Sequence, residues 1–163
     1  MNISELMKKM IEYSEGNLHD INHFIKVWTY AKTIGELEKI DEDTLFILEA
    51  AAITHDIACP LCRKKYGSTN GKYQELEGGI LVRDLLKDCG LSVGQIDRIA
   101  YLVEHHHTYD NIDSMDYQIL LEADYIINAD ESSYSKQNIT EFCKKVFRTE
   151  SGITLLKSIY GIA

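Results

Sequence analysis

The chain has 163 residues, of which 45% are hydrophobic and 26% are charged, enough to bury a sizeable core within one domain. Its 26 acidic and 17 basic residues give a formal net charge of -9, which should repel a nucleic-acid backbone. No apolar run approaches the ~20 residues that span a bilayer, and the first residues lack the apolar segment of a secretion signal. We therefore expect a single cytoplasmic domain over residues 1–163, with neither a membrane nor a nucleic acid as partner.

Apolar residues recur at spacings of three and four through most of the chain, a period that predicts an all-α fold. The first predicted helix covers about residues 4–13, and Gly16 and Asn17 separate it from a second helix that begins near Asp20. Steps of four, three, four and three place one set of side chains on a single face of the second helix. That face consists of His23, Val27, Tyr30, Ile34 and Leu37.

A third helix should open after Asp41, whose carboxylate can cap it, and should end at the apolar run AAITHD. Leu48 and Ala52 share a face with His55, so this histidine should point inward, next to Asp56. An unpaired polar group in a core costs roughly 1–3 kcal/mol, and an unpaired charge costs more. A bound metal ion would hold both side chains there.

Residues 59–70 (CPLCRKKYGSTN) are polar and basic and contain the only proline, so we expect a surface loop that leads away from the His-Asp pair. The spacing of Cys59 and Cys62 invites a redox or zinc interpretation. However, no second pair completes a tetrahedral zinc site, and no βαβ pattern surrounds the motif. The four cysteines are therefore expected to be ordinary reduced thiols.

The next two predicted helices lead to a second histidine on an apolar face. A fourth helix should cover about residues 72–87, with Gly90 as its C-terminal cap. A fifth should start at Ser92, because Ser92 and Gln95 have the spacing of a capping box. Its apolar stripe leads to His106, which should therefore face the core.

A carboxylate interrupts the apolar face of the sixth predicted helix. This helix covers about residues 116–130, and Leu120, Asp124 and Ile127 lie on one of its faces. Two amphipathic segments then follow within residues 135–163 and should pack as a C-terminal helical hairpin. Asp124 is thus a candidate for the same kind of inward-facing polar group as the histidines.

Four predicted helices thus end or interrupt an apolar face with a side chain that can bind a metal ion. A lone histidine in such a position is more often hydrogen-bonded within the core, but four coincidences favour a common site. Neutral imidazole nitrogens and carboxylate oxygens suit a divalent transition metal, and the facing helices of a bundle can supply them. The candidates are His23, His55, Asp56, His105, His106 and Asp124.

The order of His23, His55-Asp56 and Asp124 resembles the ligand pattern of the HD-domain superfamily of metal-dependent phosphohydrolases. The segments HDINHFIKVWTYA, AAITHDIA and LLEADYI resemble that family's sequences around the first histidine, the His-Asp pair and the last aspartate. These matches span about residues 20–127. The resemblance implies a single-domain helical bundle of the HD type, in which this core is followed by C-terminal helices over residues 135–163.

The resemblance also implies a ligand set and an activity. The metal ligands would be His23, His55, Asp56 and Asp124, and the cofactor would be a divalent ion such as Mn, Fe, Co, Ni, Mg or Zn. Such an ion with an open position lowers the pKa of a bound water and polarises a phosphoryl oxygen. The implied enzyme is a phosphomonoesterase or nucleotide phosphohydrolase that acts on a small phosphorylated metabolite or nucleotide.

Some members of the superfamily hold a second metal ion, partly through a histidine on the next helix. Gln74 stands at that position here, so one ion is expected rather than two. The predicted catalytic residues are Asp56, His105 and His106, and one of the two histidines would orient the phosphate or protonate the leaving oxygen. His107 is expected to be a solvated residue just beyond the helix end.

Cations near the His-Asp pair should meet the negative charge of a phosphorylated substrate. Members that act on nucleoside monophosphates often carry a glutamate soon after this pair, where the present chain has Cys59, and this weakens a nucleotidase assignment. The substrate-binding candidates are Lys26, Arg63, Lys64, Lys65 and Lys72.

Three alternatives follow from the same residues. The first is a catalytically weak regulatory HD module that binds a metal or another ligand, and Gln74 keeps it open. The second is oxygenase chemistry, which also occurs on HD-type scaffolds but would require two irons, so Gln74 counts against it. The third, a serine hydrolase, has little support because no Gly-x-Ser-x-Gly elbow follows a strand.

Overall fold

The computed structural model describes residues 1–163, which form nine helices and no strand. The all-α prediction is therefore confirmed. The helices are α1 Ile3–Tyr13, α2 Leu18–Leu37, α3 Glu42–Thr54, α4 Cys59–Tyr66, α5 Gly71–Leu86, α6 Val93–His105, α7 Met115–Glu131, α8 Lys136–Val146 and α9 Glu150–Tyr160.

Polar side chains cap the N-terminal ends of α3 and α6 at the positions that the sequence indicates. The Asp41 carboxylate accepts a hydrogen bond from the Thr44 backbone N–H at 3.0 Å and caps α3. Ser92 and Gln95 form the reciprocal hydrogen bonds of a capping box at the start of α6. These bonds satisfy backbone donors that have no partner within the helix, and they fix where α3 and α6 begin.

Residues 59–70 do not form the expected surface loop, because most of them belong to the short helix α4. Pro60 is compatible with this helix since it lies in the first turn, where the backbone N–H has no helical partner. Gly67 ends α4 in the left-handed conformation with φ 64°. Cys59 and Cys62 are buried free thiols, and burial raises the pKa of both, so neither is a reactive thiolate.

The core surrounds α3 and α7. The α3 segment Leu48–Thr54 is buried, and α3 packs against α1, α2, α6 and α7. Almost every residue of α7 is buried, so this helix is central to the fold rather than amphipathic. As predicted, α8 and α9 pack on each other, and α9 also contacts α2 and α7. The packing brings the end of α3 next to α2 and α7, while α6 packs against α3 and α5.

One segment does meet the length and hydropathy of a membrane span, contrary to the sequence expectation. The helical stretch Glu42–Tyr66 has 25 residues and a mean hydropathy of 1.5 in its most apolar window. However, 67% of that window is buried inside the fold, and a turn at residues 55–58 separates α3 from α4. The core helix of a soluble protein passes the same test, so this signal is weak evidence for a membrane segment.

Candidate metal centre

Two imidazoles and two carboxylates converge where α2, α3 and α7 meet. The Nε2 atom of His23 on α2 lies 3.1 Å from Nε2 of His55, the C-cap of α3, and 3.2 Å from Oδ1 of Asp124 on α7. The Asp56 carboxylate, which follows α3, lies 3.5 Å from the His23 Nε2 atom and 3.6 Å from the His55 Nε2 atom. The four side chains that the sequence placed in one site are thus adjacent.

The other ring nitrogen of each histidine has its own hydrogen-bond acceptor. The Nδ1 atom of His23 lies 2.7 Å from Oε2 of Glu131, and the Nδ1 atom of His55 lies 2.8 Å from the Ala52 carbonyl oxygen. When each Nδ1–H donates to these acceptors, the Nε2 lone pairs point towards each other and towards Asp124. This orientation is the one that metal-binding histidines adopt, with the distal nitrogen fixed by a carboxylate or a backbone carbonyl.

The two carboxylates of this cluster favour the binding of a cation. Burial disfavours a charge on the His23 ring, but hydrogen bonding to Asp124 and the charge of Asp56 outweigh it and raise the pKa of His23 to about 10. Although burial acts to raise the pKa values of Asp56 and Asp124, the neighbouring imidazoles hold both below their usual range. A divalent ion would compensate the negative charges of these two carboxylates, as a proton on His23 also does. Two imidazole nitrogens and two carboxylates therefore fit a borderline divalent metal.

A second group of ligand-type atoms shares Asp56. The ligand atoms of Asp56, His106 and His107 lie within 4.8 Å of one another, and Nε2 of His106 is 3.4 Å from Oδ1 of Asp56. The Nε2 atoms of His106 and His107 and the Oε1 atom of Gln74 are buried without a hydrogen-bond partner. Buried polar atoms rarely lack a partner. Gln74 and His107 line the cleft, so their two atoms fit a ligand bound there.

Comparisons with known proteins give the family and the fold of the chain. The HD domain profile matches residues 20–143, well over half of the chain. The chain belongs to the HD domain family. A solved structure described as a predicted HD superfamily hydrolase, from an uncultured Thermotogales bacterium, has the same fold, with a TM-score of 0.72 and 23% identity. The match covers 97% of this chain and 84% of that one. No curated protein matches this HD domain.

The three consecutive histidines of the HD domain point in different directions. His106 is fully buried and faces Asp56, as its place on the apolar stripe predicts. His105 lies outside the cluster, because its ring stacks on Tyr101 at 4.1 Å and its Nδ1 atom is 2.7 Å from the Tyr101 carbonyl oxygen. Successive helical residues are about 100° apart, so His105 and His106 cannot face the same cleft. The histidine that lines the cleft is therefore His107 and not His105. The His107 side chain is half-buried, whereas the sequence predicted a solvated residue.

Two of the five predicted substrate-binding cations lie at or beside the cleft. The Arg63 guanidinium lines it and forms a bidentate ion pair with Asp20, with N–O distances of 2.8 and 2.5 Å. Lys26 lies beside it, with Nζ 3.4 Å from the Oε1 atom of Glu131. Both cations are held by carboxylates that line the same cleft. Their charges are therefore already compensated within the protein.

The other three predicted cations do not line the cleft of the HD domain. Lys65 forms an ion pair with Glu77, and Lys72 lies over the Tyr73 ring at 5.8 Å from its centroid. Lys64 is exposed and lines a separate cavity. Lys64 and Lys65 follow Arg63 on α4, which is a helix and not a flexible loop, so their side chains point in other directions. Lys72 lies on the next helix, α5.

The cleft has a volume of about 200 Å³, and most of its lining side chains are polar. Sequence reasoning missed several of them, among them Asn128 and Glu131 on α7. A signal for both was present, because Asp124, Asn128 and Glu131 have the spacing i, i+4 and i+7 of one helical face. The complete lining is His19, Asp20, His23, Asp56, Cys59, Arg63, Thr69, Gln74, His107, Asp124, Asn128, Glu131 and Ser132.

Proposed function

We propose that this HD domain is a metal-dependent phosphohydrolase that acts on a small phosphorylated metabolite or nucleotide. The observation that carries the proposal is the convergence of His23, His55, Asp56 and Asp124, whose facing atoms are 3.1 to 3.6 Å apart. The HD family, and the description of the Thermotogales relative as a predicted hydrolase, support the hydrolase class. The phosphorylated substrate is the finer part of the proposal, and it rests on the cations beside the cleft.

In this proposal one divalent ion is held by the four converging side chains. When bound, the ion supplies a Lewis acid for a phosphoryl oxygen and lowers the pKa of a bound water. The Glu131 carboxylate and the Ala52 carbonyl oxygen accept the Nδ1–H bonds of His23 and His55, and so keep the two Nε2 lone pairs directed at the ion. These contacts set the ligand geometry before any substrate enters.

The second group and the adjacent cations would bind the phosphate. His107, whose Nε2 atom has no hydrogen-bond partner, lines the same cleft as the Arg63 guanidinium, and the His106 Nε2 atom lies 3.4 Å from Oδ1 of Asp56. Asp20 fixes the plane of that guanidinium, which can then donate two parallel hydrogen bonds to phosphate oxygens. The proposal keeps a cytoplasmic location without a nucleic-acid or membrane partner, in line with the net charge of -9.

The test combines metal analysis with a substrate panel. Protein purified without chelator should contain about one equivalent of metal, as four converging ligands predict. It should release phosphate from at least one phosphorylated metabolite with Mn²⁺, Co²⁺, Ni²⁺ or Mg²⁺. The His55→Ala, Asp56→Ala double variant should stay helical by circular dichroism but lose both metal and turnover, whereas Asp97→Ala, at an exposed acid, should retain both. Unchanged phosphate release by the double variant would refute the assignment.

A regulatory HD module is the second candidate, and Gln74 favours it. The Gln74 Nε2 atom donates to the Thr69 carbonyl oxygen at 2.8 Å, and its buried Oε1 atom has no partner. A neutral amide oxygen is a weaker ligand for a transition metal than an imidazole nitrogen. Bound metal without phosphate release across the whole panel would favour this candidate over the enzyme.

A further inference from the structure

The turn that follows α6 is tied to the first part of α5 by one carboxylate. The Oε1 atom of Glu75 accepts a hydrogen bond from the His107 backbone N–H at 3.1 Å and one from the Thr108 hydroxyl at 2.9 Å. These bonds join residues that are 32 and 33 positions apart in the sequence. Glu75 therefore fixes the place where the chain leaves α6 and turns past the cleft.

Gly71 lies against the ring of His107, and its lack of a side chain leaves the room that this ring occupies. A Cβ atom added to Gly71 would lie 2.6 Å from Cγ of His107, which is closer than real Cβ contacts allow. The Gly71 φ angle is not in the left-handed region, so close approach rather than backbone conformation explains the glycine. The ring also packs against His106, with centroids 4.0 Å apart.

The neighbouring histidine does not depend on these contacts. The Nδ1 atom of His106 lies 2.8 Å from the Val103 carbonyl oxygen, so the end of α6 itself orients this ring. His107 follows the end of the helix and has its backbone N–H bonded to Glu75 alone. Removal of the Glu75 carboxylate should therefore move His107 and leave His106 in place.

We propose that Glu75 is a positioning residue that holds His107 in the metal centre, with Gly71 leaving the room that its ring occupies. The proposal rests on the proposed function, since His107 lines the same cleft as His23, Asp56 and Asp124. Glu75 acts through the turn and does not itself line the cleft. Groups that orient the residues of a metal site typically change affinity or activity by 10–100-fold when they are removed, and about tenfold is expected here.

The test uses three variants on α5 and two readouts. Glu75→Ala should shift the His107 ring signals in nitrogen-detected NMR of the metal-free protein and lower phosphate turnover about tenfold. Glu75→Gln should restore both, because its amide oxygen can still accept the two hydrogen bonds. The control Glu77→Ala removes a carboxylate that binds Lys65 and Tyr66 and does not line the cleft, so it should change neither readout.

Two results would overturn the proposal. One is a Glu75→Ala protein whose His107 signals match those of Glu77→Ala, and the other is a Glu75→Gln protein as impaired as Glu75→Ala. If Glu75→Ala fails to fold, Gly71→Ala serves instead, because it should displace the same ring with both Glu75 hydrogen bonds available. If the wild-type protein releases no phosphate, the NMR readout still decides the role of Glu75, and only the proposed function fails.

Discussion

Two buried carboxylates on α7, only two residues apart, have opposite surroundings. Glu122 is fully buried and accepts hydrogen bonds from the Gln118 amide at 2.7 Å, from the Arg148 N–H at 2.7 Å, and from both the N–H and the hydroxyl of Thr149. Its charge is balanced by donors from the turn between α8 and α9. The carboxylate thus joins the C-terminal hairpin to the core.

The Asp124 carboxylate, unlike that of Glu122, lies next to imidazole nitrogens and not among a set of dedicated hydrogen-bond donors. Its Oδ1 atom lies 3.2 Å from Nε2 of His23 and 3.4 Å from Nε2 of His55. Both rings already use their Nδ1–H groups elsewhere. A buried carboxylate among dedicated donors is a structural element, whereas one grouped with two imidazoles and a second carboxylate fits a cation site.

Loss of Asp124 should have the largest effect on function. Asp124→Ala removes one of four ligand groups, and the remaining three give an incomplete set, so metal content and turnover should fall to background. Elemental analysis and phosphate release measure both, with Glu122→Ala as the crossed control. An Asp124→Ala protein that keeps a full equivalent of metal would show that this carboxylate is not a ligand.

Loss of Glu122 should have the largest effect on stability. Glu122→Ala leaves several buried donors without a partner, and each costs ~1–3 kcal/mol, so the free energy of unfolding should fall by about 3 kcal/mol. Urea denaturation measures this change, and metal binding by the folded fraction should stay normal. A loss of stability no greater than that of Asp124→Ala would mean that the two carboxylates do not differ as described.

Glu131 tests the intermediate case of a carboxylate that supports a metal-binding histidine. Glu131→Gln retains an oxygen that can accept the His23 Nδ1–H bond but removes the charge, while Glu131→Ala removes both. Metal affinity, measured by calorimetry, should fall about tenfold for alanine and less for glutamine. Equal affinities in both variants and the wild type would show that His23 needs no support from α7.

Asp113 gives the smallest expected effect, as an exposed acid that pairs with a cation. Hydrogen bonding to Arg98, at 2.8 Å for both oxygens, holds the pKa of Asp113 below its usual range. Its stabilisation is thus present above the unfolded pKa of about 3.9 and is lost as the pH falls through the lower folded value. The side chain is 47% exposed, so the contribution is below about 1 kcal/mol.

The measurement for Asp113 is the urea midpoint of the wild type and of Asp113→Asn between pH 7 and pH 2. In the acid range the wild type should lose its small advantage in stability over Asp113→Asn. The variant should lack the ionic contribution of Asp113 at every pH. A constant difference between the two proteins over the whole range would contradict an ionic origin.

The sequence predicted the helical fold and the convergence of His23, His55, Asp56 and Asp124, because helical periodicity fixes which residues share a face. It did not predict α4, since this helix has only eight residues, contains Pro60 and carries three consecutive basic side chains. The orientation of the three histidines also depended on where α6 ends. The role of His107 could not be read from α6 alone, because Glu75 and Gly71 on another helix place its backbone and ring.

Asp56 belongs to both groups of ligand atoms, with His23 and His55 on one side and His106 and His107 on the other. A ligand bound in either group must therefore change the free energy of binding in the other, and by linkage the effect is reciprocal. Double-mutant cycles between His23 and His106 should consequently be non-additive in the presence of Asp56. The carboxylate that follows α3 thus couples the binding energies of the two ligand groups.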